Sequence, residues 1–298
     1  MFDDIEPSTR TIINVMNINI DIKKLFNELE TVPYIFPSSK RGRRKKEDLK
    51  KIENNVPDGS IINIRYENLE KGVFKKKKTS TKFFRNAMTI TMINKKKPFS
   101  FKIFTSKEGG GTKTQHPGCK LDEMVVHSIK HLFMIIKDKP VYHFIRPSDD
   151  KLTLLLHVTM TNINFNLGFN VSRQNLNKYI SDFSKYNSML ETNIGHAGTN
   201  ITRKISEQIN MGEITKVTIN EKFETHYEYV SFQEYLDNLT SKQITIFNNK
   251  IRKNTFLVFY SGKTIMSGFD LKHMKGPYED FIKDIYSIRH KIEDKHVT

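Results

Sequence analysis

Three stretches of this 298-residue chain carry residue types at spacings used in chemistry elsewhere. Ser261-Gly-Lys-Thr264 ends like a phosphate-binding loop, in which backbone N–H groups cradle phosphate while the Lys and the Ser/Thr hold its oxygens and a magnesium ion. That motif needs a glycine where Leu257 stands, and Phe256 to Tyr260 is apolar strand text. Gly109 to Thr114 (GGGTKT) has the amides for a phosphate nest, but no Gly-Lys-Ser/Thr follows, so a loop tip is expected. His127 and His131 stand four apart, as two ligands on one helix face would, without the glutamate of a His-Glu-x-x-His zinc site. The single cysteine, Cys119, excludes an intrachain disulfide and every multi-cysteine zinc arrangement, and it fits a reducing compartment. No nucleophile, base and orienting acid come together in the text. The expectation is a protein that is not an enzyme and has no metal, cofactor or small-molecule substrate.

What remains is binding chemistry. Lys plus Arg number 49 against 33 Asp plus Glu, a formal charge of +16, which calls for a polyanionic partner. The charge is clumped at Lys40 to Lys51, Lys75 to Lys78 and Lys95 to Lys97. The first clump reads equally as a phosphate-tracking arm or a solvated insertion with nuclear-import character. The last reads as a polar hairpin connection between two apolar strands. The second chemical signal is aromatic and occurs twice: FKIFTSK from Phe101 and FLVFYSGK from Phe256. In each phrase two phenylalanines stand three apart, so a strand would send them to opposite faces, one to a core and one outward.

These phrases need elements to hold them, and the text around them is duplicated in order. NINIDI from Asn17 is echoed by NINFNL from Asn162, and a helix-like run follows each Phe phrase, Leu121 to Lys139 and Leu271 to Lys291. Strands are expected at Thr11 to Ile18, Ser60 to Tyr66, Ala87 to Ile93 and Phe99 to Thr105, and in the second copy at KLTLLLHVTM, QITIF (Gln243 to Phe247) and Phe256 to Tyr260. Each copy thus reads as strand, helix, several antiparallel strands and a long helix. The division expected is 1–146 and 147–298, with an insertion around 195–232. Side by side, such units make an α+β protein: one continuous antiparallel sheet, four helices on one face, the other face bare. At 37% hydrophobic content the chain can build that core. Its opening, MFDDIEPSTR, lacks an apolar stretch and LFMII at Leu132 is too short to cross a bilayer, so neither secretion nor membrane contact is expected. The place expected is intracellular, the nucleus or the cytoplasm, and not the secretory path.

Phe259-Tyr-Ser-Gly-Lys-Thr-Ile-Met-Ser-Gly268, with YEDFIKDIY from Tyr278, resembles the signature of the TATA-box-binding protein family. There, a strand ending in Ile-Phe-x-Ser-Gly-Lys turns into one ending in Thr-Gly-Ala-Lys, followed by a helix with Tyr-x-x-Phe. Phe104-Thr-Ser and Pro117-Gly-Cys-Lys120 match more loosely around an inserted KEGGGTKTQH, and the insertions resemble those of divergent members encoded by large DNA viruses. The resemblance implies two tandem repeats forming a curved antiparallel saddle with helices on the convex face, set on the minor groove of AT-rich promoter DNA. Phe104 and Phe259 would be wedges, with second wedges at Phe83 or Phe84 (in KFFRNAM) and at Phe232. Base-reading positions fall at Thr11, Leu156, Pro117 and Ser267, apolar contacts at Ile13, Val158, Leu257 and Ile265, and phosphate-side lysines at Lys107 and Lys263. Asp270 stands where the second repeat of the family has Lys. The function implied is a general initiation factor working with other initiation factors and a multisubunit RNA polymerase on double-stranded DNA. The rivals are a sequence-tolerant architectural DNA binder and a protein-interaction adaptor that kept the fold.

Overall fold

The computed structural model describes residues 2–36, 56–75, 85–105, 110–190, 198–205, 212–249 and 251–295. The basic run at 40–51, lysines 76–78, Phe83, Phe84 and Lys107 lie outside these residues.

The chain begins with strands β1 (Pro7–Met16) and β2 (Ile18–Ile20) and helix α1 (Ile22–Glu28), whose N-cap Asp21 accepts from the amide of Lys24. Strands β3 (Ile61–Tyr66), β4 (Leu69–Gly72), β5 (Ala87–Asn94), β6 (Lys97–Phe104) and β7 (Lys113–Cys119) lead to helix α2 (Asp122–Ile136). Asp122 and Glu123 in the first turn of α2 oppose the positive end of its dipole. After β8 (Tyr142–Phe144) the scheme runs again with β9 (Leu152–Asn166), helix α3 (Arg173–Ile180), β10 (Tyr186–Leu190) and β11 (Gly198–Lys204). Four further elements intervene: β12 (Glu213–Ile219), β13 (Thr225–Ser231), α4 (Phe232–Asp237) and α5 (Ser241–Asn248). The chain closes with β14 (Lys253–Phe259), β15 (Lys263–Gly268), α6 (Leu271–Ser287) and α7 (Arg289–Ile292).

All strands except the β2–β8 pair form one 13-stranded antiparallel sheet. β1 and β9 pair at its centre. Outward from β1 lie β7, β6, β5, β3 and β4; outward from β9 lie β15, β14, β11 and β10. In each half the first strand is central, the last lies beside it, and the others follow in reverse order, except that β4 lies outside β3 at the far edge of the first half. The registers agree as well. Lys102 faces Gln115 as Leu257 faces Ile265, and Thr11 faces Pro117 as Asn162 faces Ser267. In the central ladder Thr9 pairs with Asn162 and Thr11 with Met160, which is what a twofold axis between these equivalent pairs would give.

Two cores lie between the sheet and helices on one of its faces. The first joins Ile12, Met16, Ile90 and Phe101 from strands to Leu25 of α1 and Val125 and Ile129 of α2. The second joins Ile163, Ile201, Phe256 and Met266 to Leu176 of α3 and Phe281 and Ile285 of α6. Phe256 stacks on Phe281 with ring centroids 4.0 Å apart. Alternation along the strands sends the intervening side chains to the other face.

That other face is not bare, which corrects the expectation. Val15 and Leu155, which alternate with core residues of β1 and β9, are buried under Phe232 and Tyr235 of α4, with Ile214 of β12 and half-buried Phe247 of α5 around them. Helices α4 and α5 therefore cover the open face around Val15 and Leu155, carried on the β12–β13 hairpin, which is anchored where β12 pairs with Leu152 to Leu156 of β9. The insertion also begins later than expected. Gly198–Lys204 is a ladder strand occupying the place of β5, and QITIF is helix α5, started by a capping box between Thr240 and Gln243.

Candidate nucleic-acid interface

Phe104 and Phe259 are the last residues of β6 and β14, each the third strand out from the centre. Both are half-buried, and both alternate with residues packed under helices, Ile103 and Val258. They thus stand on the open face at corresponding ends of corresponding strands. Phe101 and Phe256, three residues earlier, are fully buried under the helices.

The second half of the open face is the better exposed. Leu257 faces Ile265, Ile265 faces Asn164, and Ser267 sits between Thr255 and Asn162. Phe259, Lys263 and Ile265 share one cleft with Asn164 and Asn166. Asn162 donates through Nδ2 to Thr9 Oγ1 at 3.0 Å, tying β9 to β1 across the centre. The surface combines rings and aliphatic side chains with amides and a lysine at the margin, chemistry suited to a groove floor edged by phosphates.

In the first half, Ile13 faces Gln115 on one side and His157 on the other, and Thr11 is buried opposite Pro117. Lys113 faces Phe104 across the β6–β7 ladder, and burial pushes its pKa down to about 8. Val15 stands next to Lys113 in the same row and is under the cover. The cover brings its own charge. A cleft of about 640 Å³ between it and the central strands is lined by Asp149, Asp150, Glu228, Glu234 and Asp237 together with Arg146 and Lys151, and Lys216 bridges Glu228 and Glu234 at 3.1 and 2.8 Å.

Several expected site residues are elsewhere. Val158 packs with the first core, and Leu156 is buried in it. The cause is a bulge: Thr11 pairs with Met160 but Ile12 with Val158, so Thr159 is skipped and every residue before it changes face relative to a regular count. The face is served instead by Asn162, Asn164 and Asn166, whose period of two in NINFNL is the available signal. The echo of that phrase at NINIDI is out of register, since the position in β1 equivalent to Asn162 is Thr11. Phe232 does not end a strand facing solvent. The chain turns at Ser231 into α4, carrying the ring onto Val15 and Leu155, where it stacks with Tyr235 at 5.1 Å. Among the described residues no group of three or more His, Cys, Asp or Glu is placed to hold a metal, and His127 and His131 simply adjoin at 4.4 Å between ring centroids.

Fold and face together define a two-sided sheet protein, helices on one side and a polar, aromatic, partly covered surface on the other. No family model matches the chain, and no curated protein matches it. Among solved structures it is similar to the Methanococcus jannaschii TBP, at 12% identity and a TM-score of 0.40, over 95% of this chain and 98% of that one.

Proposed function

We propose that the chain is a duplex-DNA-binding transcription initiation factor of the TATA-box-binding-protein kind, made of two tandem copies of one unit that together form a saddle. Helices occupy the convex side, and the open face receives the minor groove of AT-rich promoter DNA. The observation supporting this most directly is the matched register of the two halves, with Phe104 and Phe259 at corresponding ends of the open face. A wedge must be a flat apolar ring on a rigid strand, because unstacking a base step costs a few kcal/mol that a mobile side chain would not offset. Asn162, Asn164 and Ser267 provide the hydrogen-bonding groups between the wedges, and Lys113 and Lys263 meet phosphates. The helices on the far side remain available to other initiation factors and a multisubunit RNA polymerase, inside the cell.

A gel shift with AT-rich and GC-rich duplexes at two salt concentrations tests the reading. Preference for the AT-rich duplex that survives the higher salt is expected. Equal, steeply salt-dependent binding of both would favour a sequence-tolerant architectural protein, and no shift at all an adaptor. Phe259→Ala should abolish duplex bending, measured by energy transfer between labelled duplex ends, and leave a salt-sensitive component.

A further inference from the structure

The cover, helices α4 and α5 carried on the β12–β13 hairpin, lies on the face assigned to the duplex. It replaces what is, in the first half, a turn of two residues, Lys95 and Lys96, joining β5 to β6. It is held in two ways. β12 extends the sheet by pairing with β9 and is fixed there, whereas the helices rest on the face through a few rings. Phe247 is the outermost of these, 5.2 Å from Phe232 and under the guanidinium of Arg252 at 4.8 Å, and no residue of α5 is fully buried. Strands paired edge to edge and a helix held by rings differ in what it takes to release them, so the helices can leave while β12 stays.

We infer that α4 and α5 are an intramolecular competitor for the duplex, closing the open face around Val15 and Leu155 until a duplex displaces them. The inference rests on the nucleic-acid reading above and adds its regulation. Two physical facts support it. The helices bury Val15, which is next in row to Lys113 and then Phe104, so a groove lying along that row would meet α4. The segment that builds the cover, residues 213–248, carries six Asp and Glu (Glu213, Glu221, Glu224, Glu228, Glu234 and Asp237) against three lysines (Lys216, Lys222 and Lys242), so it opposes phosphates in a chain that is otherwise strongly basic. A duplex must therefore spend part of its binding free energy on lifting the helices, and its apparent affinity falls by the fraction of molecules that are open.

The test uses the full chain and a labelled AT-rich duplex, read by fluorescence anisotropy. Phe247→Ala and Tyr235→Ala weaken the cover without altering any residue of the central strands, and each should tighten duplex binding by roughly tenfold, since the open fraction rises. The second measurement does not depend on how well these variants fold. Cys119 is fully buried, so a fluorophore on Ile246→Cys, an exposed position of α5, reports the cover alone. Saturating duplex should free that label's motion, read as a larger fast component in its time-resolved anisotropy decay. Wild type that binds the duplex with the label unaffected, or variants that bind no more tightly, would overturn the competitor while leaving the nucleic-acid reading intact. No binding by wild type or either variant would overturn both.

Discussion

His116 shows how one residue distinguishes the two halves. It occupies β7 where Met266 occupies β15, and it lies stacked on Phe101, ring centroids 5.0 Å apart, in the first core. Its Nε2 is 2.8 Å from Thr114 Oγ1, which also accepts from Asn14 Nδ2 at 3.2 Å, so the ring sits in a short buried polar chain. Burial holds it neutral, with its pKa pushed down to about 3 from 6.5. Below pH 6.5 the unfolded chain takes a proton that the folded one refuses, so this contribution to stability is whole above that pH and is lost as pH falls towards 3. His116→Met should therefore lose less stability than wild type between pH 7 and pH 4 in urea unfolding. Parallel pH profiles for the two proteins would show that the imidazole is not buried neutral.

The turn between β5 and β6 makes the case at the scale of elements. Lys95 and Lys96 both have positive φ, 50° and 65°, the pair of left-handed conformations that a two-residue hairpin loop demands and that Asn-Gly meets with least strain. Each non-glycine residue there costs roughly 1–2 kcal/mol. Lys95→Asn with Lys96→Gly should stabilise the fold by about 1 kcal/mol, raising the urea midpoint with an unchanged slope, while Asp58 keeps its hydrogen bond from the backbone of residue 96. This hairpin is legible in the sequence because two alternating apolar runs flank a polar knot. So are α2 and the Phe101/Phe256 faces, where period and aromatic spacing agree. What is not legible has physical causes. The bulge at Thr159 has no residue signature, so a regular count puts Leu156 and Val158 on the wrong face by one position. QITIF reads as strand because Ile, Thr and Phe favour strands, but the capping box at Thr240 and Gln243 and the docking of Phe247 against Phe232 decide for helix. GTNITRK does not read as strand because Asn, Thr, Arg and Lys hide the alternation around its buried apolar residue, Ile201.

For the molecule as a whole, charge and shape are distributed unequally. Lys263 lines an open cleft with Phe259, whereas its counterpart Lys113 is half-buried and near the covered region around Val15. On the proposed function, Lys263→Gln should make the dependence of log affinity on log salt shallower by about 0.9, the value for one duplex phosphate left unneutralised. Binding isotherms of a labelled duplex at four salt concentrations would measure it, and a slope equal to that of wild type would remove Lys263 from the interface. Phe259→Ala, by contrast, should leave the slope alone and remove bending, which separates the lysine that attracts the backbone from the ring that opens a step.

The central β1–β9 ladder also sets a timetable. β1 ends at Met16, yet one of its edges is completed only by a strand beginning at Leu152. At the roughly 5–20 residues per second of protein synthesis, that edge waits on the order of ten seconds. The N-terminus waits longer still, because Phe2 packs on Tyr278 with centroids 5.1 Å apart and Asp3 meets Lys275 at 2.8 Å, both on α6. The nascent first half is thus an open-edged sheet with a ten-residue strand on display, the kind of surface on which neighbouring chains on one polysome pair with each other instead of with themselves.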